Sequence, residues 1–167
     1  GNNRFDQFWM LMTHRGSNVL VYVSIILLLS LKIKRKQIIS LIIFGLILIL
    51  VTDQLTNLCK VQVGRLRPCF DFQLKDLVRL VKSSCGGKFS FFSGHASNSF
   101  ALAFFFGRVV KRHFKMVNII LIFIAGLISY SRIYIGVHYP LDIVCGMVVG
   151  SIIAVSYTHL RAHETIA

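Results

Sequence analysis

Ser131–Asp142 reads SRIYIGVHYPLD and sets an arginine, a histidine and an aspartate between two long apolar stretches. An unpaired charge beside hydrocarbon is expensive, so ionisable groups in such a place are functional candidates first. Pro140 suits the first turn of a helix, where its missing N–H would have had no acceptor to serve. The pattern therefore predicts a helix from Pro140, with His138 at its start and Asp142 in its first turn, about one turn apart. At that spacing the carboxylate can orient the imidazole; an interfacial His and Asp at an ordinary helix start fits the same residues.

Apolar runs spread outward from this stretch in both directions. Met116–Tyr130 precedes it and Pro140–Ala154 follows, both of membrane type. Further back, Gly94–Val110 starts polar and turns into AFFF, and Ile38–Leu58 is long enough to span, with Asp53, Gln54 and Asn57 in its final turns. Val19–Leu31 is a shorter candidate, and Phe5–Met12 mixes aromatics with Asp6 and Gln7 around Trp9, as interfacial helices do. The expected fold is all-α: an integral membrane helical bundle of about five transmembrane helices plus an amphipathic N-terminal helix. A mean hydropathy of +0.70 agrees with that class. Gly146 and Gly150 form a GxxxG pair that lets another helix approach, and Ala125, Gly126 and Ser129 can serve the preceding helix likewise.

The chain carries 19 Lys+Arg against 6 Asp+Glu, a net +13. The bases cluster between the apolar runs, so the bilayer and its anionic head groups are the expected partner, and no nucleic acid is. Cys59, Cys69, Cys85 and Cys145 show no CxxC pairing and no His at zinc-finger spacing, so no structural metal is expected. His14 and His113 read as surface histidines. The chain opens on Gly1 without a methionine, and Val155–Thr165, VSYTHLRAHET, resembles the translation of a transposase-type sequencing adapter. Residues 1–154 are therefore expected to be one domain cut at both ends, and 155–167 a non-native tail, which sets His159 and His163 aside as a metal pair.

Counting crossings brings distant residues together. If KIKRK (Lys32–Lys36) lies on one side, the next span delivers Cys59–Phe92 to the other, and two further spans return the chain there at Ser131–Asp142. The two short basic turns carry four Lys/Arg each and no acid, which places them in the cytoplasm and the opposite face outside. The long loop itself holds seven bases, so the count alone does not fix orientation. If that loop lies outside, Cys69 and Cys85 can form a disulfide; free thiols fit as well.

Three clusters meet on this face. Lys60 and Arg67–Pro68, in KVQVGRLRP, offer a compact charge and a planar fork to phosphate. Ser93, Gly94 and His95 open a helix whose free N–H groups suit an anion. Arg132, His138 and Asp142 complete a concave cationic site. No matching set of carboxylates accompanies them, so a mechanism without metal or other cofactor is expected. Asp53 reads either as a partner of a site base or as an interhelical anchor.

In order, K-x6-R-P, S-G-H and S-R-x5-H-x3-D, the chain resembles the type 2 phosphatidic acid phosphatase (PAP2) family, which shares its anion-site signature with vanadium haloperoxidases. Phe92 stands where the family has proline before the serine, a change expected to alter the helix start and not the chemistry. The family core has six helices. The resemblance implies a membrane lipid-phosphate phosphatase with His138 as nucleophile, forming a phosphohistidine. It implies Asp142 as the group holding its tautomer and His95 as general acid and then base. Lys60, Arg67, Arg132, Ser93 and Gly94 would hold the phosphate. The implied partner is a lipid phosphate, with undecaprenyl pyrophosphate favoured because the chain is compact and the site faces outward. The implied place is the bacterial inner (cytoplasmic) membrane, multi-pass, with the site toward the periplasm or exterior. A haloperoxidase holding vanadate, and an inactive anion or lipid binder, are the rival readings; oligomeric state is not written in the residues.

Overall fold

A computed structural model describes the backbone of residues 3–164 and the side chains of residues 4–156. Among the described residues six α-helices follow one another: α1 (Asn3–Thr13), α2 (Arg15–Ser30), α3 (Arg35–Val63), α4 (Gly94–Val110), α5 (Lys115–Tyr134) and α6 (Pro140–Glu164). One 3-10 turn, Pro68–Phe70, lies in the long connection between α3 and α4. The expected side chains of His159 and His163 lie outside the described residues, as does the chain beyond Glu164.

The helices are built inside out for water. Ile43, Leu46 and Leu50 on α3, Ile119 and Phe123 on α5, and Val144 and Ile152 on α6 all face outward. Contiguous apolar surface on successive helices is stable only against hydrocarbon. Both α3 and α5 are long and apolar enough to cross a bilayer alone; α1 and α2 meet the test together but are bent by 60° at their junction. The apolar part of α6, Pro140–Ser156, and the 17-residue α4 are shorter. This is a helical membrane protein.

Helix ends differ from the expected spans for identifiable reasons. α2 begins at Arg15, ahead of Val19, because His14 caps it: its Nδ1 accepts the Gly16 N–H at 3.2 Å. α3 runs on to Val63 and stops at Gly64, whose φ of +63° suits a helix C-terminus without a Cβ penalty. Lys60 thus sits on the last turn of α3, not in the loop.

α4 is the hub, packed by α3, α5 and α6. Its buried face carries Ala96, Ala103, Phe105 and Phe106 among others. The GxxxG pair does the work expected of it. A Cβ on Gly146 would sit 2.6 Å from the Ser93 carbonyl oxygen, and one on Gly150 only 2.1 Å from that of Ser97. α6 therefore lies directly on the start of α4. Ala125 and Ser129 are buried in the same manner on α5, but nothing lies within 4 Å of a Cβ placed on Gly126. That glycine faces open space and has no packing role here.

The long connection is short of regular structure yet well tied. Leu66 and Phe89 form an antiparallel bridge, flanked by Arg67 N–H to Lys88 C=O at 3.1 Å and Ser90 N–H to Arg65 C=O at 2.8 Å. This pairing carries the GRLRP segment beside the start of α4. Cys69 and Cys85 are joined as a disulfide, with Cα atoms 6.2 Å apart.

Candidate active site

Helix ends deliver the side chains. Lys60 comes from the last turn of α3, Gly94 and His95 from the first turn of α4, Arg132 from the last turn of α5, and His138 from the turn before α6. With Arg67 from the long connection, all of them line one cavity of about 980 Å³. Ser93 and Asp142 are fully buried and stand behind its wall. The sequence-predicted residues are thus gathered at one place.

Each is held by a specific partner. Asp142 is the third residue of α6, and its Oδ2 accepts the Tyr139 N–H at 2.9 Å, as an N3 side chain does in a capping box. The same oxygen lies 3.4 Å from His138 Nδ1. That contact assigns the proton to Nδ1 and leaves Nε2 with the lone pair. Ser93 caps α4, its Oγ accepting the Ala96 N–H at 3.4 Å, while its own N–H donates to the Asp142 carbonyl at 3.0 Å. The N–H groups of Gly94 and His95 then fall where helix geometry offers no intrahelical acceptor.

Arg67 is pinned by two carbonyls: Nη1 donates to Cys85 C=O at 2.7 Å and Nε to Phe89 C=O at 3.2 Å. Arg132 is buried; its Nη1 donates to Thr13 Oγ1, and its Nε has no hydrogen-bond partner among the described residues. Burial pushes the His138 imidazole down to about 4; the Asp142 hydrogen bond pulls it up, and Arg67 and Arg132 press it down further. A neutral imidazole with a free Nε2 is the nucleophilic form.

Asp53 lines the cavity but makes no ion pair with a site base among the described residues. Its Oδ1 accepts from Asn98 Nδ2 at 2.8 Å, an anchor between α3 and α4. Three contributors escaped the sequence. Thr13, on α1, touches the buried Arg132; Arg15 lines the cavity mouth; Arg65 reaches Asp142 with Nη1 at 3.2 Å from Oδ1. Only Arg65 left a signal, since two residues before Arg67 in an extended segment is the same face.

The disulfide has a measurable consequence, because Cys85 both closes a loop of sequence separation 16 and holds Arg67. Cys85→Ser is expected to lower stability by about 3 kcal/mol, the loop-closure value for this length, and to raise KM. Thermal unfolding and kinetics in detergent, with and without reductant, check both.

From the site the cavity runs on into an apolar slot between α2, α3 and α4, lined by Tyr22, Ile26, Ile42, Gly45, Ile49 and Phe106. Lys60 and Ile42 are eighteen residues apart on α3, about 27 Å at 1.5 Å per residue. One cavity therefore offers a cationic cup at one end and a hydrocarbon-lined slot at the other.

Residues 38–165 match the PAP2 superfamily. The chain belongs to that superfamily. This PAP2 chain is 33% identical over 149 residues to a lipid A 4'-phosphatase of Porphyromonas gingivalis, covering 89% of this chain and 62% of that protein. It is 34% identical over 148 residues to a lipid A 4'-phosphatase of Bacteroides thetaiotaomicron, covering 87% and 65%. It thus spans about three fifths of the length of these curated relatives. The fold is shared with a transmembrane PAP2-type phosphatidylglycerolphosphate phosphatase of Bacillus subtilis, at a TM-score of 0.75 and 24% identity over 98% of this chain and 79% of that one.

Proposed function

We propose that this PAP2 chain is a membrane lipid-phosphate phosphatase that works through a phosphohistidine. The observation that carries this reading is one cavity whose lining includes Lys60, Arg67, His95, Arg132 and His138, continuous with an apolar slot. A phosphate fits the first part and a hydrocarbon chain the second.

His138 Nε2 attacks phosphorus, and the lipid oxygen departs with a proton from His95. A water, deprotonated by His95, then attacks the phosphohistidine, the P–N bond breaks, and inorganic phosphate leaves. Asp142 holds the Nδ1–H tautomer and balances the positive charge that forms on the ring. Lys60, Arg67, Arg132 and the Gly94 and His95 N–H groups neutralise the equatorial oxygens, with Ser93 setting the helix start that aims them. On this reading α2 to α6 are five crossings with α1 at the interface, and the basic turns favour the cytoplasm, with the cup on the outer side of the bacterial inner membrane.

The relatives' names favour a lipid A phosphomonoester as substrate. Undecaprenyl pyrophosphate, favoured by the compact chain and the outward-facing site, is the competitor. Phosphate release from lipid A, phosphatidylglycerol phosphate, phosphatidic acid and undecaprenyl pyrophosphate in detergent tests the reading and ranks the substrates. No release from any of them above a His138→Ala control would refute it.

Two further outcomes follow from the same cavity. Since burial pushes the His138 imidazole from its ordinary range down to about 4, it stays neutral until the pH falls to that region. The acid limb of kcat/KM, with the substrate's own ionisation near pH 6 divided out, is expected near pH 4 and not near 6.5. The same depression means stability is lost as pH falls from about 6.5 to 4, where only the unfolded chain takes up the proton. The slot predicts chain-length selection. A Cβ on Gly45 would meet the Phe106 ring at 3.5 Å, ordinary contact, so Gly45→Ala narrows the slot without forcing the helices apart. Blocking one methylene, at about 0.8 kcal/mol, should cut the preference for long over short chains about fourfold. Competition between two acyl lengths measures it.

A further inference from the structure

Arg65 stands outside the cavity but against its machinery. Its Nη1 donates to Asp142 Oδ1 at 3.2 Å, and among the described residues no other hydrogen bond to that oxygen occurs. Asp142 is fully buried, whereas the Arg65 side chain is 36% exposed. The guanidinium lies 4.0 Å over the Tyr139 ring, whose hydroxyl donates to Asp71 Oδ2 at 3.1 Å. The backbone of Arg65 is fixed by its carbonyl, which accepts the Ser90 N–H at 2.8 Å. The side chain is therefore stacked, hydrogen-bonded and anchored at its root.

The other carboxylate oxygen has two claims on it. Oδ2 accepts the Tyr139 N–H at 2.9 Å and faces His138 Nδ1 at the longer 3.4 Å. The terminal torsion of an aspartate is broad, so the plane of the carboxylate is set by its partners. Tyr139 N–H holds Oδ2 and Arg65 holds Oδ1, and turning the plane away from the imidazole would break the Arg65 bond.

We propose that Arg65 is a positioning residue for the His138–Asp142 pair, acting through Asp142 and never on the phosphate. This rests on the reading of the site given above. It separates Arg65 from Lys60, Arg67 and Arg132, which line the cavity, although all four are basic residues of one face.

The test is a double-mutant cycle with Arg65→Gln and Asp142→Asn, Arg65→Lys as the conservative variant, and 15N-histidine spectra of His138 in each protein. Arg65→Gln is expected to lower kcat by about 10- to 100-fold, the loss usual when an outer partner that orients a ligating group is removed, with KM little changed. In the Asp142→Asn background the same change should cost no more than about twofold, within the scatter of independent sites. Arg65→Lys should recover part of kcat, keeping the charge and losing the stacked fork. The His138 spectrum of Arg65→Gln should shift away from the Nδ1–H tautomer. An equal loss in both backgrounds, a rise in KM in place of a fall in kcat, or an unchanged His138 tautomer would each overturn the proposal. If Arg65→Gln does not fold, Arg65→Lys carries the same cycle. Should the wild type release no phosphate from the lipid panel, the phosphatase reading fails, while the 15N spectra still decide the role of Arg65.

Discussion

His138→Ala is expected to lower kcat by about 10^5- to 10^6-fold, the scale seen when a covalent nucleophile is deleted. The ring is 3% exposed, backed by Asp142 at 3.4 Å and facing Arg67, Arg132 and His95 across the cavity. No neighbouring group can replace it: of the other imidazoles that line the cavity, His95 has no carboxylate hydrogen bond among the described residues, and His14 Nδ1 is taken by the Gly16 N–H. Quenching the wild type during turnover should yield a phosphorylated protein whose label is lost in acid and kept in alkali, and the variant should yield none. Turnover near the wild-type rate would remove His138 from the chemistry. Thermal unfolding of the variant in the same detergent guards against simple loss of fold.

Arg132→Ala should cost about two to three decades in kcat, as for one donor lost from a preorganised oxyanion site. Arg132 is 6% exposed, its Nη1 is committed to Thr13, and its Nε is buried without a partner among the described residues. A buried donor in that condition costs free energy, which a phosphate oxygen in the cavity would relieve. Lysine at the position should rescue little, since it carries charge without the planar fork. Steady-state kinetics and inhibition by orthovanadate measure the loss of phosphoryl grip. A loss under tenfold would place Arg132 outside the transition-state contacts.

Spacing carried most of the site. Of the residues in K-x6-R-P, S-G-H and S-R-x5-H-x3-D, Lys60, Arg67, Gly94, His95, Arg132 and His138 line one cavity, because the parity of apolar runs returns those segments to a common end of the bundle. The pair Cys69 and Cys85 was legible as a choice between disulfide and thiols, and the fold brings their Cα atoms to 6.2 Å. What stayed hidden depends on contacts between elements. Nothing in the periodicity of α1 says that Thr13 will touch Arg132, a partner 119 residues away. The end of α3 was misplaced because Cys59–Val63 is compatible with either helix or loop until Gly64 turns to φ +63°. Gly126 shows the opposite failure: a small residue in a promising helix that packs against nothing.

The shared cavity has a kinetic corollary. A molecule gripped by its head in the cup and by its chain in the slot between α2 and α3 need never visit bulk water, whereas released phosphate does. Turnover would then follow how many substrate molecules occupy each unit of bilayer area, and adding inert lipid at fixed total substrate should slow it by dilution in two dimensions.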